Sequence, residues 1–255
     1  MERPLNLRGW HCAVLVLLAS GCAAAPPSAP PAAPADIVAA EKDVLGEDPV
    51  RRKFAVADLL KDPRPEARAV LVAILKGPAP NAVQQDVLEG IAYRRDEAFV
   101  PALIRVIEGP DLSLREKAAS ALEAIRAPGA LAAMHAAAAD AARPLSARLR
   151  IIQALGDQGD PDAIAPLIAL LDEPNPAVSR KAAEALCRVT LLDDTGTEGW
   201  KRWWASYRDR PPEAFLRDHV ERLRKINRDL RQANRALRAS NLKIEQDRLL
   251  AAAAQ

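Results

Sequence analysis

The sequence holds little of what builds a sheet or a catalytic centre. Aromatics make up 4% of 255 residues, and there are only 11 Gly. Sheets draw on β-branched and aromatic side chains, so this shortage, set against abundant Ala and Leu, points to helices packed through small residues. Three Cys and three His are few and scattered, with no CxxC and no His-Glu pair at ligand spacing. A phosphate-cradling glycine run and a nucleophile elbow are missing as well. His135 and His219 are isolated, and His135 lies in an alanine-rich stretch that reads as a helix surface. Asp157 and Asp160 fall between apolar runs, where single carboxylates serve as helix caps. These absences argue against catalysis in cis, a metal or a cofactor, and the expectation is a protein that is not an enzyme.

Long apolar runs are missing too. Residues 13–19, "AVLVLLA", follow Arg3 and Arg8 and make an apolar core of seven, far short of a bilayer span and suited to an export signal. The run ends in "LLASGC", residues 17–22, which resembles the lipobox of bacterial lipoprotein precursors. Ser20 and Gly21 are the expected small residues, and Ala19 stands where Leu is commoner. The resemblance implies cleavage before Cys22, which becomes the lipidated first residue; the plainer reading is ordinary secretion with Cys22 incidental. Residues 23–35, "AAAPPSAPPAAPA", are almost wholly Ala, Pro and Ser, a composition that favours extended polyproline II and a semi-rigid tether. Ala23 is not the aspartate that resembles an inner-membrane retention signal. A lipid-anchored protein of the cell envelope, on the periplasmic face of the outer membrane, is therefore implied. Cys12 leaves with the signal and Cys22 carries lipid, so Cys187 is left alone. "ALCRV" puts it on an apolar helical face as a buried, inert thiol.

Self-similarity recurs with a period near thirty-two. "FAVADL" (54–59), "DVLEGI" (86–91), "KAASAL" (117–122), "RIIQAL" (150–155) and "KAAEAL" (181–186) close on Leu59, Ile91, Leu122, Leu155 and Leu186, at intervals of 32, 31, 33 and 31. In each copy a second apolar helix follows. At 147–172, "ARLRIIQAL" is a first helix, Gly156 is a candidate left-handed C-terminal residue, and Asp160-Pro161 starts the return helix "AIAPLIALLD". One helix pair cannot bury its apolar face alone, so periodicity predicts a stacked αα solenoid. The stretch "ARLRIIQALGDQGDPDAIAPLIALLDEPNPAVSRKAAEALCRV" resembles the HEAT-like repeats first named from phycobilin lyases, through its "ALG..GDP.A...L..LL" turn and "D..P.VR..AA.AL" entry. Ser179-Arg180 departs slightly from the latter. The resemblance covers residues 48–207 and implies an all-α fold of about five repeats, a protein-binding scaffold, and protein partners on its concave face. HEAT-like iron hydroxylases carry repeated His-Glu pairs, and none occurs here.

The fifth repeat runs into "LLDDTGTEGWKRWWASYRD", where Trp200, Trp203 and Trp204 share one helical face by their i, i+3, i+4 spacing. They are either the cap that seals the last repeat or an aromatic binding platform. From residue 200 onward 14 Lys and Arg face 7 Asp and Glu, an excess of +7, which leaves about −5 for the rest of a chain of formal net charge +2. The return helices offer Arg68, Arg105 and little else that is basic. Nucleic-acid binding is not expected.

After Pro211-Pro212 no Gly or Pro interrupts the chain. With Leu216, Leu223, Leu230, Leu237 and Ile244 at d, position a is Val220, Asn227, Asn234 and Asn241, a coiled-coil seam over four heptads. Asn at a weakens a parallel pair but fixes its register and number. Arg217, Arg224, Arg231 and Arg238 at e lack acidic partners at g in a homodimer, so an acidic partner helix or an anionic surface suits them. Self-association, a different partner and folding back onto the solenoid all remain open. The expected organisation is a signal peptide at 1–21, a lipidated tether at 22–40, the solenoid with its Trp-rich cap at 41–210, and a heptad helix at 211–255. The function expected is an envelope-anchored scaffold or assembly adaptor; the alternative is an accessory subunit that presents or controls an envelope enzyme.

Overall fold

The computed structural model describes residues 34–253. The signal segment 1–21, Cys22 and the tether as far as residue 33 lie outside the described residues. Within them the chain is helical, with no strand: α1 (Ala35–Val44), α2 (Pro49–Lys61), α3 (Pro65–Lys76), α4 (Asn81–Arg94), α5 (Val100–Glu108), α6 (Leu112–Ala124), α7 (Pro128–Ala139), α8 (Leu145–Gln158), α9 (Ile164–Ala169), α10 (Pro176–Thr190), α11 (Gly196–Tyr207) and α12 (Pro212–Ala253), with short 3-10 turns flanking α9 and preceding α5. Proline and short acidic or amide side chains set the starts. Asp48 accepts from the Val50 amide (2.8 Å), Asp111 from Leu114 (2.9 Å), Asp160 from Asp162 (2.9 Å) and Asn175 from Ala177 (3.0 Å). Pro49, Pro128 and Pro176 open their helices where no intrahelical donor is needed.

The even helices α2, α4, α6, α8 and α10 stack in order as one layer, and the odd helices pack against them. All five residues that close the repeat hexamers, Leu59, Ile91, Leu122, Leu155 and Leu186, are buried in the even layer. The hairpins that pack most extensively join an odd helix to the even helix after it, α1 with α2, α5 with α6 and α7 with α8, whereas α3 packs about equally on α2 and α4. The sequence frame, which starts each repeat at the even helix, is thus offset by one helix. The offset exposes a correction. Residues 35–40 were expected in the tether, yet they begin α1, whose Ile37 and Val44 are buried. The solenoid starts at residue 35 because the first hairpin needs α1 to cover α2.

A second correction concerns Gly156. It lies inside α8, and the left-handed terminus is Gly159, at φ 64. Gly156 is small because α10 crosses there: a Cβ would lie 2.8 Å from the Ala185 Cα and Cβ. Asp160 caps as expected, whereas Asp157 pairs with Arg188 at 2.7 Å. Cys187 is half-buried rather than buried, and desolvation, aided by Asp194 and Asp193, pushes its thiol above the ordinary range.

Seven residues before each closing apolar residue stands another recurring position, occupied by Arg52, Gln84, Arg115, Arg148 and Ser179. Four of these bond the backbone at or just beyond the end of the odd helix that precedes their own. Arg52 donates to the Gly46 carbonyl (3.0 Å), Gln84 to those of Ile74 (3.0 Å) and Gly77 (3.1 Å), Arg148 to Ala138 (2.7 Å) and Ser179 to Leu171 (3.0 Å). The ends of helices leave such carbonyls unpaired, and an unmet buried one costs about 1–3 kcal/mol. The second guanidinium nitrogens of Arg52 and Arg148 pair with Asp86 (2.9 Å) and Glu173 (2.7 Å), so neither buried cation is left alone.

Candidate protein-interaction surface

The end of the solenoid is built from aromatics that the rest of the chain nearly lacks. Trp200 is fully buried, and its indole N–H donates to Asp194 at 3.0 Å. Trp203 and Trp204 are half-buried against the core, Trp203 edge-on to Trp200 (5.7 Å) and stacked on Tyr207 (4.8 Å). The contacts continue into the next helix, with Tyr207 edge-on to Phe215 and Phe215 stacked on His219 at 5.5 Å. Polar bonds lock the same junction. The Tyr207 hydroxyl donates to Asp218 (3.0 Å), Arg210 pairs with Asp218 (3.0 Å), and Arg222 donates to the Thr190 carbonyl at the end of α10 (2.7 Å). Burial, with the Asp218 carboxylate beside it, raises the Tyr207 hydroxyl above its usual range. Trp200 is thus turned into the fold, with Trp203 and Trp204 packed half-buried beside it.

Beyond this junction α12 stands free. Every side chain from 223 to 247 is exposed, including Leu230 at 58% and Leu237 at 61%. At 1.5 Å per residue, residues 223–253 extend about 46 Å. Leu216, Val220, Leu223, Leu230, Leu237 and Ile244 lie along it, with Asn227, Asn234 and Asn241 between them, all exposed. The helix does not fold back onto the repeats, so its seam has no partner within the described chain. No helix among the described residues is long and apolar enough to cross a membrane.

A second surface escaped the sequence reading. Tyr93 (87% exposed) lines a slot between α2 and α4 with Val56, Leu60 and Gly90, and Phe54 (69% exposed) lines an adjoining hollow with Pro49 and Val50; the two share Lys53 and Ala57. A Cβ at Gly90 would lie 2.7 Å from Leu60 Cδ1, so glycine leaves room for side-chain methyls of α2 and meets no backbone there. The signal available was the rarity of Phe and Tyr, five in the whole chain, two of which sit at outward positions of consecutive repeats. Around the slot the even layer carries ion pairs from helix to helix, Lys53 and Lys117 both on Glu89 and Arg150 on Glu116. Of the two basic residues expected on return helices, Arg68 is near Asp96 (3.7 Å) and Arg105 is exposed. His135 is half-exposed on α7.

The sequence pattern of HEAT repeats matches residues 68–146 and 141–196, which together span half the chain. The chain belongs to the HEAT-repeat family. Solved structures similar to it include the complex of CpcE and CpcF of phycocyanin lyase from Nostoc sp. PCC7120, at 23% identity over 66% of this chain and 69% of that one, with a TM-score of 0.37. An engineered protein is similar at 18% identity over 73% of this chain and 94% of that one, with a TM-score of 0.32. No curated protein matches the chain.

Proposed function

We propose that this HEAT-repeat protein is a non-catalytic interaction scaffold, held in the cell envelope by a lipid on Cys22 and engaging its partner through α12. The observation that carries the reading is the unpartnered heptad seam of α12, fixed at its base by the Tyr207, Phe215 and Asp218 contacts and free beyond Leu223. A 42-residue helix with exposed leucines every seven positions is marginal on its own and is stabilised by pairing. The test is crosslinking in intact envelopes of the full chain against a chain ended at residue 226. The scaffold reading expects one dominant adduct that disappears with the truncation. An unchanged adduct pattern would refute it.

The adjoining apolar hollows lined by Tyr93 and by Phe54 favour a second reading, an accessory subunit that presents or controls an envelope enzyme. Exposed aromatics over an apolar floor are what a docking residue of another protein would fill. Phe54→Ser with Tyr93→Ser should then release a catalytic subunit while leaving the α12 adduct in place.

A further inference from the structure

The apolar seam does not account for everything α12 carries. Arg217, Arg224, Arg231 and Arg238 recur every seven residues at e, in step with the leucines at d, and Arg228 and Arg235 stand at b between them. From residue 224 to 238 the arginines are spaced four, three, four and three, which is one face of an α-helix. All are exposed, and among the described residues none of the five pairs with a carboxylate. Between residues 222 and 243 there are eight Lys and Arg and a single acid, Asp229. Like charges three and four apart oppose helix formation, so this stripe weakens an isolated α12. The solenoid could supply counter-charge, since residues 34–199 hold 26 Asp and Glu against 20 Lys and Arg. It does not, because α12 stands clear of it.

We propose that α12 is one half of a heteromeric coiled coil whose other half is an acidic helix, parallel to α12, with Asp or Glu at g and a polar residue at a. This names the partner class for the scaffold reading above and rests on it. The shared beat decides the class: charges repeating every seven residues beside an apolar seam with the same repeat match another α-helix. A parallel arrangement sets each Asn layer against the partner's a position, where an amide can pair; an antiparallel one would bury those amides against d leucines. A second copy would offer His219, Ile226, Ala233 and Ser240 at g and leave the arginines without acids. An anionic bilayer has no seven-residue beat, and residues 223–247 contain no Trp, Tyr or Phe to anchor in one.

The test uses the full chain purified in detergent and a labelled synthetic peptide of four heptads with Leu at d, Asn at a and Glu at g. The control is the same peptide with Ser at g. Binding read by fluorescence anisotropy should be about tenfold tighter for the Glu peptide, equivalent to about 1.4 kcal/mol. The difference should shrink in 1 M NaCl, where charges are screened within about 3 Å. A chain carrying Arg224→Glu, Arg231→Glu and Arg238→Glu should prefer a peptide with Lys at g while keeping its melting temperature, which separates lost pairing from lost folding. Equal binding of the Glu and Ser peptides overturns the proposal. So does a chain that sediments as a dimer which the Glu peptide does not dissociate. Arginine-dependent binding to vesicles with 30% anionic lipid, without preference for the Glu peptide, would likewise reject it in favour of a membrane partner. Failure of the scaffold reading looks different: the Glu peptide binds, yet ending the chain at residue 226 leaves the envelope adducts unchanged.

Discussion

Gly156→Ala adds one methyl group at the closest approach of α8 and α10, and the structure sets its cost. The new Cβ would meet the Ala185 Cα and Cβ at 2.8 Å and the Arg188 Nε at 3.1 Å. Two of these atoms belong to Ala185, which cannot rotate aside, so the helices must separate by most of an ångström. Overpacking of this kind costs about 1–3 kcal/mol. Alanine also favours a helix interior over glycine by about 1 kcal/mol, which leaves a net loss of up to about 2 kcal/mol. For a chain of this size 1 kcal/mol moves Tm by about 2–4 °C, so thermal unfolding followed by far-UV circular dichroism should shift down by up to about 8 °C. Gly90→Ala is the internal control. Its Cβ meets only the methyl ends of Leu60 (2.7 Å) and Val56 (2.8 Å), which can turn away. The helix-propensity gain should then offset the clash, with Tm unchanged to within about 2 °C. Urea titration should give one m-value for all three proteins, showing that native-state stability changed and not the extent of unfolding. If Gly156→Ala melts at or above the parent, or if both variants fall equally, the account of α8–α10 packing is wrong.

Leu155→Asp places a charge among fully buried helices with no partner and should lower stability by about 4 kcal/mol or more; an unchanged urea midpoint would mean that Leu155 is not core. Cys22→Ser should abolish metabolic palmitate labelling and move the chain from the membrane to the soluble fraction, and continued labelling would exclude lipidation at Cys22. Lys117, with lesser help from Lys53, holds the Glu89 carboxyl below its usual range. A depressed carboxyl contributes stability above its unfolded value that is lost as pH falls through the folded one. Lys117→Met should therefore flatten the decline in urea midpoint below about pH 4.5, and an unaltered acid limb would show that the pair contributes nothing.

Most of the solenoid was legible because its apolar positions are periodic and its turns hold Asp-Pro or Asn-Pro pairs. The hexamer frame found the right face of five helices without any partner structure. What it missed had physical causes. Residues 35–40 read as tether because Ala is common to proline-rich spacers and to helices, and only Asp36, Ile37 and Val38 mark the change. Gly156 looked like a terminus because polar residues follow it, yet close helix crossing demands glycine as firmly as a left-handed turn does. Arg52, Gln84 and Arg148 drew no notice, since long polar side chains seldom lie inside unless satisfied; their equal spacing with the closing apolar residues was the overlooked signal. On α12 the seam was evident from its beat, whereas its freedom from the repeats could come only from the fold.

Because Arg52, Gln84, Arg148 and Ser179 each bond the backbone at or just past the end of the helix before their own, the polypeptide has permitted stopping points. An odd helix leaving the ribosome is open-ended until six to ten further residues deliver its stopper. A nascent chain halted after α3 or α7 therefore shows bare carbonyls to whatever it meets, while one halted after α4 or α8 is already sealed. Growth and loss along such a molecule proceed in whole hairpins, and a cleavage or frameshift that leaves half of one yields a fragment that is sticky at its last turn. At the far end, Arg222 of α12 closes α10 through the Thr190 carbonyl, so the helix that leaves the body is also the body's last stopper.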